Sequence, residues 1–327
     1  MNATIQLAGT NVTIPRLGVG TWAWGDKRVW GMGGYDASLS EASIREAYEA
    51  SLRAGVTLLD TAEVYGRGES ERIIGRLLAQ YHDAALPRPQ LATKFFPAPW
   101  KLNVKVALVD ALRASLDRLG VPQVELYQLH GPISLRSHAT LADALALAHQ
   151  QGLLKAIGVS NYSLRETRSM QRELQARGLA LATNQVEFSL LRRAPETSGL
   201  LEGCKQLGVT VLAYSPIGQG RLTGKYSSAN PPPGSRQFSD HPMKLVDPVV
   251  AALKRIGKKH ERTPSQVALN WLIAKGAVPI PGAKNKRQAE DNAGALGWSV
   301  DDEDLRALDA TALGGKLSLQ NLVWQHG

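Results

Sequence analysis

The sequence predicts a (β/α)8 barrel. Short β-rich apolar runs alternate with amphipathic helical stretches from end to end, as parallel strands joined by crossover helices require. Gly55, Gly152, Gly178, Gly208 and Gly276 each stand between a helix and the next strand, the joint that a tightly wound α/β protein needs. The rival architecture, an open doubly wound sheet, usually announces itself with G-x-G-x-x-G between strand and helix. Here the nearest match, Gly18-Val19-Gly20, runs into Thr21-Trp22 and a loop instead.

Taken in order, Thr4–Leu7 and Asn11–Ile14 flank Ala8-Gly9-Thr10 and read as a β-hairpin closing the barrel bottom. Eight strands follow: Leu17–Thr21, Val56–Asp60, Gln90–Phe95, Val124–His130, Leu154–Ser160, Leu181–Glu187, Val209–Ser215 and Ala277–Pro281. Several are nearly all apolar, the mark of strands buried on both faces. Ser38-x-x-Glu41 and Ser163-x-x-Glu166 read as capping boxes, and Thr263-Pro264 as an N-cap with proline in the first turn. Asn103 is placed to cap a helix whose Leu108, Leu112, Leu116 and Leu119 recur at helical spacing and which Gly120 and Pro122 end. A helical stretch from Glu196 to Leu207 carries Cys204 as a small core residue. The loops Gly25–Ala37 and Pro216–Pro248 are long, which in a compact domain points to function or mobility.

With 327 residues, 43% hydrophobic and 20% charged, the chain has the composition of a folded protein, and no linker divides residues 1–327, so one barrel domain is expected. One cysteine permits no internal disulfide, and the N-terminus lacks the pattern of a secretory leader; both lead us to expect a cytoplasmic protein. No apolar run reaches the ~20 residues of a membrane span. The net charge of +9 is scattered and not gathered into an arm, so nucleic acid is not an expected partner. The expected partner is a small molecule, with the chain a monomer or a weak homo-oligomer.

Polar residues cluster where strands end, which is where a barrel of this type gathers its chemistry. Asp60 ends one strand, Tyr65 follows in the loop Asp60-Thr-Ala-Glu-Val-Tyr-Gly, Lys94 lies near the end of the next strand, and His130 ends the one after. A lysine buried in a barrel mouth needs a partner, and Asp60 is the natural one. A phenol beside that lysine has its phenolate favoured, which suits Tyr65 to give a proton to a developing alkoxide. His130 is placed to hydrogen-bond the same oxygen. Alone, each residue has a plainer reading as cap, surface charge or packing; together they suggest a catalytic set. A metal-dependent barrel would need ligands at several strand ends, and only Asp60 and His130 fit, so no metal is expected.

At these residues the chain resembles the aldo-keto reductases, most closely their long-loop bacterial and plastid-type members. The likeness runs from Leu17-Gly-Val-Gly-Thr-Trp to Ile280-Pro-Gly-Ala-Lys-Asn and includes Tyr214-Ser-Pro-Ile-Gly-Gln-Gly and Leu222-Thr-Gly-Lys-Tyr. The resemblance implies NADPH-dependent reduction of aldehydes and ketones, with hydride passing from nicotinamide C4 and Tyr65 giving the proton. It implies that Asp60 and Lys94 tune Tyr65 and that His130 orients the carbonyl. It also implies NADP(H) extended across the barrel mouth. Ser160, Asn161 and Gln185 would hold the carboxamide, Tyr214 would stack on the ring, and Thr21 and Trp22 would line that pocket. Ser215, Pro216, Ile217 and Gly218 would approach the pyrophosphate, with Lys225 and Arg236 as basic contacts. Gly282, Lys284, Gln288, Asp291 and Asn292 would bind the adenosine end, with Lys284 facing a 2′-phosphate and Lys286 and Arg287 nearby. Trp22, Trp24, Trp30, Phe95, Phe96 and Trp100 are candidates for the substrate pocket, and the tail Lys316–Gly327, through Trp324, is a candidate for its edge. An alternative is an NADP(H)-binding redox-sensing interaction protein resembling channel β-subunits; it would call for a partner-binding surface or an added N-terminal segment, and this chain begins almost at its hairpin.

Overall fold

The computed structural model describes residues 3–25, 39–81, 83, 85–233, 241–315 and 323–327. Two strands, β1 (Thr4–Gln6) and β2 (Thr13–Pro15), pair antiparallel as the expected hairpin. The remaining strands are β3 (Gly18–Gly20), β4 (Leu58–Asp60), β5 (Gln90–Phe95), β6 (Val124–Leu129), β7 (Leu154–Ser160), β8 (Leu181–Glu187), β9 (Thr210–Tyr214) and β10 (Val278–Pro279). Neighbours in sequence are neighbours in space and every pair is parallel. The ring closes where Gly20 bridges to Gly282 and its N–H donates to Pro281 O at 3.0 Å. This is the expected (β/α)8 barrel.

Side-chain alternation divides the core in two. Residues facing inward from the strands, among them Leu58, Ala92, Leu126, Ala156, Leu212 and Val278, form one cluster with Leu7, Val12 and Ile14 of the hairpin. The hairpin therefore plugs the end of the barrel where the strands begin. A larger cluster fills the layer between strands and helices. The helix Val104–Leu119 shows how the sequence builds it: Leu108, Leu112, Leu116 and Leu119 recur on one face, all are buried, and Gly120 ends the helix at φ 67°. Burying each such leucine is worth about 1.5–3 kcal/mol. Cys204 lies in this layer with no exposure, and burial pushes its thiol up to about 12.

Several local expectations need correction. The helix Glu41–Arg53 is capped by Ser40 and boxed with Ser43; Ser38 lies outside the described residues. Asn103 stands at the N-cap position without a side-chain capping bond, while Ser163 with Glu166 and Thr263 with Gln266 form full boxes. The stretch from Glu196 to Leu207 is broken between the helices Ala194–Thr197 and Leu200–Gln206, because Gly199 takes φ 78°, outside helical space. The second long loop is shorter than expected: a 3-10 turn occupies Gly218–Thr223, and the helix Met243–His260 runs through Pro248. None of the described helices is long and apolar enough to cross a membrane.

Leu7 has no exposed surface and belongs to the barrel-bottom cluster. Leu7→Ala is expected to lower the unfolding free energy by about 2–5 kcal/mol in denaturant titrations. Turnover per folded molecule should stay unchanged, because the opposite end of the barrel carries the chemistry.

Candidate active site

Strand register brings the polar residues together. Asp60 pairs with Ala92 across β4 and β5, and Lys94 pairs with Gln128 across β5 and β6. Asp60, Lys94 and Gln128 thus reach into the barrel one layer above the apolar plug. Lys94 has no exposure and Asp60 is 2% exposed. Lys94 Nζ donates to Asp60 Oδ2 at 2.6 Å, to Thr61 O at 2.8 Å and to Tyr65 Oη at 3.4 Å. The other carboxylate oxygen, Asp60 Oδ1, accepts from Gln185 Nε2 at 2.8 Å and Gln128 Nε2 at 3.2 Å. A buried ion pair is tolerable when each partner is also hydrogen-bonded, and here both are. Burial pulls the Lys94 ammonium below its usual value, and the Asp60 charge opposes that.

Tyr65 is set by a turn of unusual backbone. Gly66, Arg67 and Gly68 all have positive φ, and a side chain at Gly66 would collide with the carbonyl of Gly25. The turn is held to the short helix Trp22–Gly25 through Ser70, whose Oγ bonds Thr21 O at 3.0 Å and Thr61 Oγ1 at 2.9 Å. Thr21 sends its own hydroxyl to Asp60 O at 3.0 Å. Thr21 therefore braces the turn from beneath and does not line the cavity, against expectation. The His130 and Tyr65 rings meet nearly at right angles, 5.7 Å between centroids at 76°. Burial, reinforced by the Lys94 charge, holds His130 well below its usual value, so the ring is neutral. His130 Nδ1 is buried without a partner. A buried N–H without an acceptor is rarer than an unfilled acceptor, which favours the proton on Nε2.

Above this floor lies a cavity of about 990 Å³. At one end stand Asp60, Tyr65 and His130 with Trp22, Phe96 and Trp324. The middle is walled by Ser160, Asn161, Gln185, Tyr214, Ser215, Pro216 and Ile217. The far end holds Lys225, Gly282, Lys284, Gln288, Asp291 and Asn292, so most residues named from the sequence share one space. Gly218 is buried behind the wall, and a side chain there would meet Leu191. Arg236 and Trp30 lie outside the described residues. Of the other aromatic candidates, Trp24 and Phe95 are core residues, with Trp24 Nε1 bonded to Ala283 O at 2.7 Å, and Trp100 is 76% exposed.

Along the wall Ser215, Gly218, Gln219 and Gly220 all have positive φ, and the Gly218 and Gly220 N–H groups close the turn on Ser215 O and Ile217 O at 2.9 and 3.1 Å. At the far end Gln288 Oε1 accepts from the Lys284 N–H at 3.0 Å, and Asn292 Nδ2 donates to Gly282 O at 3.2 Å. These bonds fix the loop that precedes the helix Lys286–Ala293, where Arg287 joins Lys284 at the cavity edge.

Sequence reasoning passed over three contributors. Gln128, a polar residue in an apolar strand, is the second amide on Asp60. Gly158 leaves room for it, since a side chain there would run into Gln128 and Thr183. Residues 323–327 bring Gln325 to Tyr214 Oη at 2.7 Å, beyond the expected position of Trp324 at the pocket edge. An isolated amide in the run Leu126-Tyr-Gln-Leu was the one signal available.

The sequence profile of the Aldo/keto reductase family matches residues 16–312. The chain is 39% identical over 324 residues to the chloroplastic pyridoxal reductase of Arabidopsis thaliana, covering 95% of this chain and 87% of that protein. It is 28% identical over 327 residues to the NADH-specific methylglyoxal reductase of Escherichia coli, covering 92% of this chain and 95% of that one. Among solved structures, the glycerol dehydrogenase of Gluconobacter oxydans aligns at a TM-score of 0.79 and 27% identity over 97% of this chain and 98% of its own.

His130 links the site to acid stability. Below the ordinary histidine value of 6.5, the unfolded chain takes up a proton at residue 130 that the native ring refuses. Native stability from this group is therefore whole above pH 6.5 and falls on acidification, by at most about 1.4 kcal/mol per pH unit. Urea titrations between pH 5 and 8 should show a shallower acid loss in His130→Asn than in wild type.

Proposed function

The chain belongs to the aldo/keto reductase family, and we propose that it is an NADPH-dependent reductase of planar aromatic aldehydes, with Tyr65 as proton donor. The observation that carries this reading is the position of Lys94 Nζ, 2.6 Å from Asp60 Oδ2 and 3.4 Å from Tyr65 Oη beneath a deep cavity. An ammonium at that place stabilises the phenolate left when Tyr65 gives up its proton. Asp60 keeps Lys94 charged, and Gln128 and Gln185 keep Asp60 in place. A neutral His130 with its proton on Nε2 donates to the carbonyl oxygen and holds it near Tyr65 Oη.

The cavity suits a dinucleotide. Its wall offers the left-handed turn from Ser215 to Gly220 for phosphate oxygens, and its far end offers Lys284 and Arg287 for a further phosphate. Asn161 and Tyr214 belong to the middle wall, next to the catalytic end, where an amide and an aromatic face would meet a nicotinamide. When bound, that ring supplies the hydride that adds to the carbonyl carbon. Tyr65 passes its proton to the oxygen, so that aldehyde, hydride and proton give the alcohol. The Escherichia coli relative is described as NADH-specific; the preference proposed here for NADPH rests on the two cations at the far end.

Trp22, Phe96, His130 and Trp324 make the catalytic end aromatic, and Phe96 and Trp324 are nearly parallel, 5.7 Å apart at 29°. Flat rings bury well against such walls. Pyridoxal, named in the description of the Arabidopsis relative, has this shape and carries an aldehyde, and it heads the substrates to be tried.

Three outcomes are expected. Tyr65→Phe lowers kcat by at least about a hundredfold while NADPH binding, followed by fluorescence quenching, stays within about twofold. Retained turnover in that variant rejects the mechanism. Lys284→Ala raises the KM for NADPH by about tenfold or more and leaves that for NADH unchanged. In a panel of aldehydes with NADPH, kcat/KM for pyridoxal exceeds that for methylglyoxal; the reverse order rejects the aromatic preference.

A further inference from the structure

Residues 323–327 enter the barrel mouth and do more there than wall it. The Trp324 ring lies beside Phe96 and 5.5 Å from His130. The next residue, Gln325, is 5% exposed, and its Nε2 donates to Glu187 Oε2 and to Tyr214 Oη, both at 2.7 Å. Tyr214 Oη in turn donates to Asn161 Oδ1 at 3.0 Å. The His326 N–H donates to Asn161 O at 3.1 Å, and Arg192 Nη2 donates to Gly327 O at 2.9 Å while its Nε stands 3.5 Å from Glu187 Oε2.

Hydrogen-bond polarity gives this chain a direction. An ionised carboxylate only accepts, so Glu187 fixes which end of the Gln325 amide faces it. The amide nitrogen is then the group beside Tyr214, and the phenol must accept there and donate onward. Its proton goes to Asn161 Oδ1, which leaves Asn161 Nδ2 as the side-chain donor for the cavity. Asn161 also holds φ 63°, a left-handed conformation that asparagine tolerates better than most residues and that backbone bonds on both sides keep in place. Its N–H donates to Gln185 O at 2.9 Å, and its carbonyl is the acceptor for His326.

We propose that Gln325 is a positioning residue for the cofactor: through Glu187 and Tyr214 it sets the Asn161 amide and the Tyr214 ring to receive the carboxamide end of a nicotinamide. The proposal rests on the reading of the cavity as a dinucleotide site. It divides residues 323–327 between two tasks, with Trp324 touching the carbonyl compound and Gln325 acting on the cofactor end through two side chains.

The test uses the full chain and measures the Kd for NADPH by fluorescence quenching, separately from turnover. Gln325→Leu keeps a side chain of comparable bulk and removes both bonds, and should weaken NADPH by about 3–10-fold. Tyr214→Phe keeps the ring, cuts the same chain from within the barrel and should weaken NADPH to a similar extent, whatever the first variant does to folding. The double variant should be no weaker than the worse single one, since both break one path. Trp324→Ala should raise the KM for the aldehyde and leave NADPH within about twofold. If Gln325→Leu and Tyr214→Phe bind NADPH as wild type does, or if their losses simply add, the positioning role is overturned. If the wild-type chain shows no NADPH binding, the cofactor reading itself fails, and the two failures are thereby told apart.

Discussion

The buried pair of Lys94 and Asp60 is the constraint around which the barrel mouth is arranged. Two charges with at most 2% exposure survive only if every neighbouring group is set to receive them. The strand register supplies Gln128 opposite Lys94, and β8 supplies Gln185 to the same carboxylate. The turn after β4 supplies the Thr61 carbonyl and the Tyr65 phenol. A glycine in β7 keeps the space that Gln128 needs. Stability and chemistry here have one origin, since the bonds that make the charge affordable also aim it at Tyr65.

This arrangement divides the barrel along its axis. One end is apolar and sealed by a hairpin; the other is polar, concave and lined with loops that break ordinary backbone preferences. Five described residues take left-handed φ without being glycine, Arg67, Asn161, Ser215, Gln219 and Glu261, and three of the five line the cavity. Strain of this kind persists only where surrounding contacts over-determine the backbone, and it gathers where a ligand is to be held.

Much of this was legible in the sequence, because it depends on local pattern. All eight barrel strands, the hairpin and the set Asp60, Tyr65, Lys94 and His130 follow from alternation, turn residues and motifs. The structure brings those four side chains to one floor. What escaped depends on distant partners. The motif places Thr21 among the lining residues, but its hydroxyl turns to the Asp60 carbonyl and Ser70, 39 and 49 positions along the chain. Gln325 meets Glu187 across 138 positions, a separation at which periodicity says nothing. The cap at Ser40 and the break at Gly199 show a subtler limit: several neighbouring residues could serve, and tertiary packing chooses among them.

The one cysteine carries a consequence for how the molecule's motions become visible. Cys204 sits on the buried face of the helix Leu200–Gln206, with its thiol pushed up to about 12. Alkylating reagents attack the thiolate, so the closed protein offers them neither access nor a nucleophile at neutral pH. Modification then proceeds only through molecules whose outer layer has momentarily parted, at a pace set by how often it parts. With no second sulfhydryl to confuse the signal, the wild-type chain holds its own timer for the breathing of that flank of the barrel.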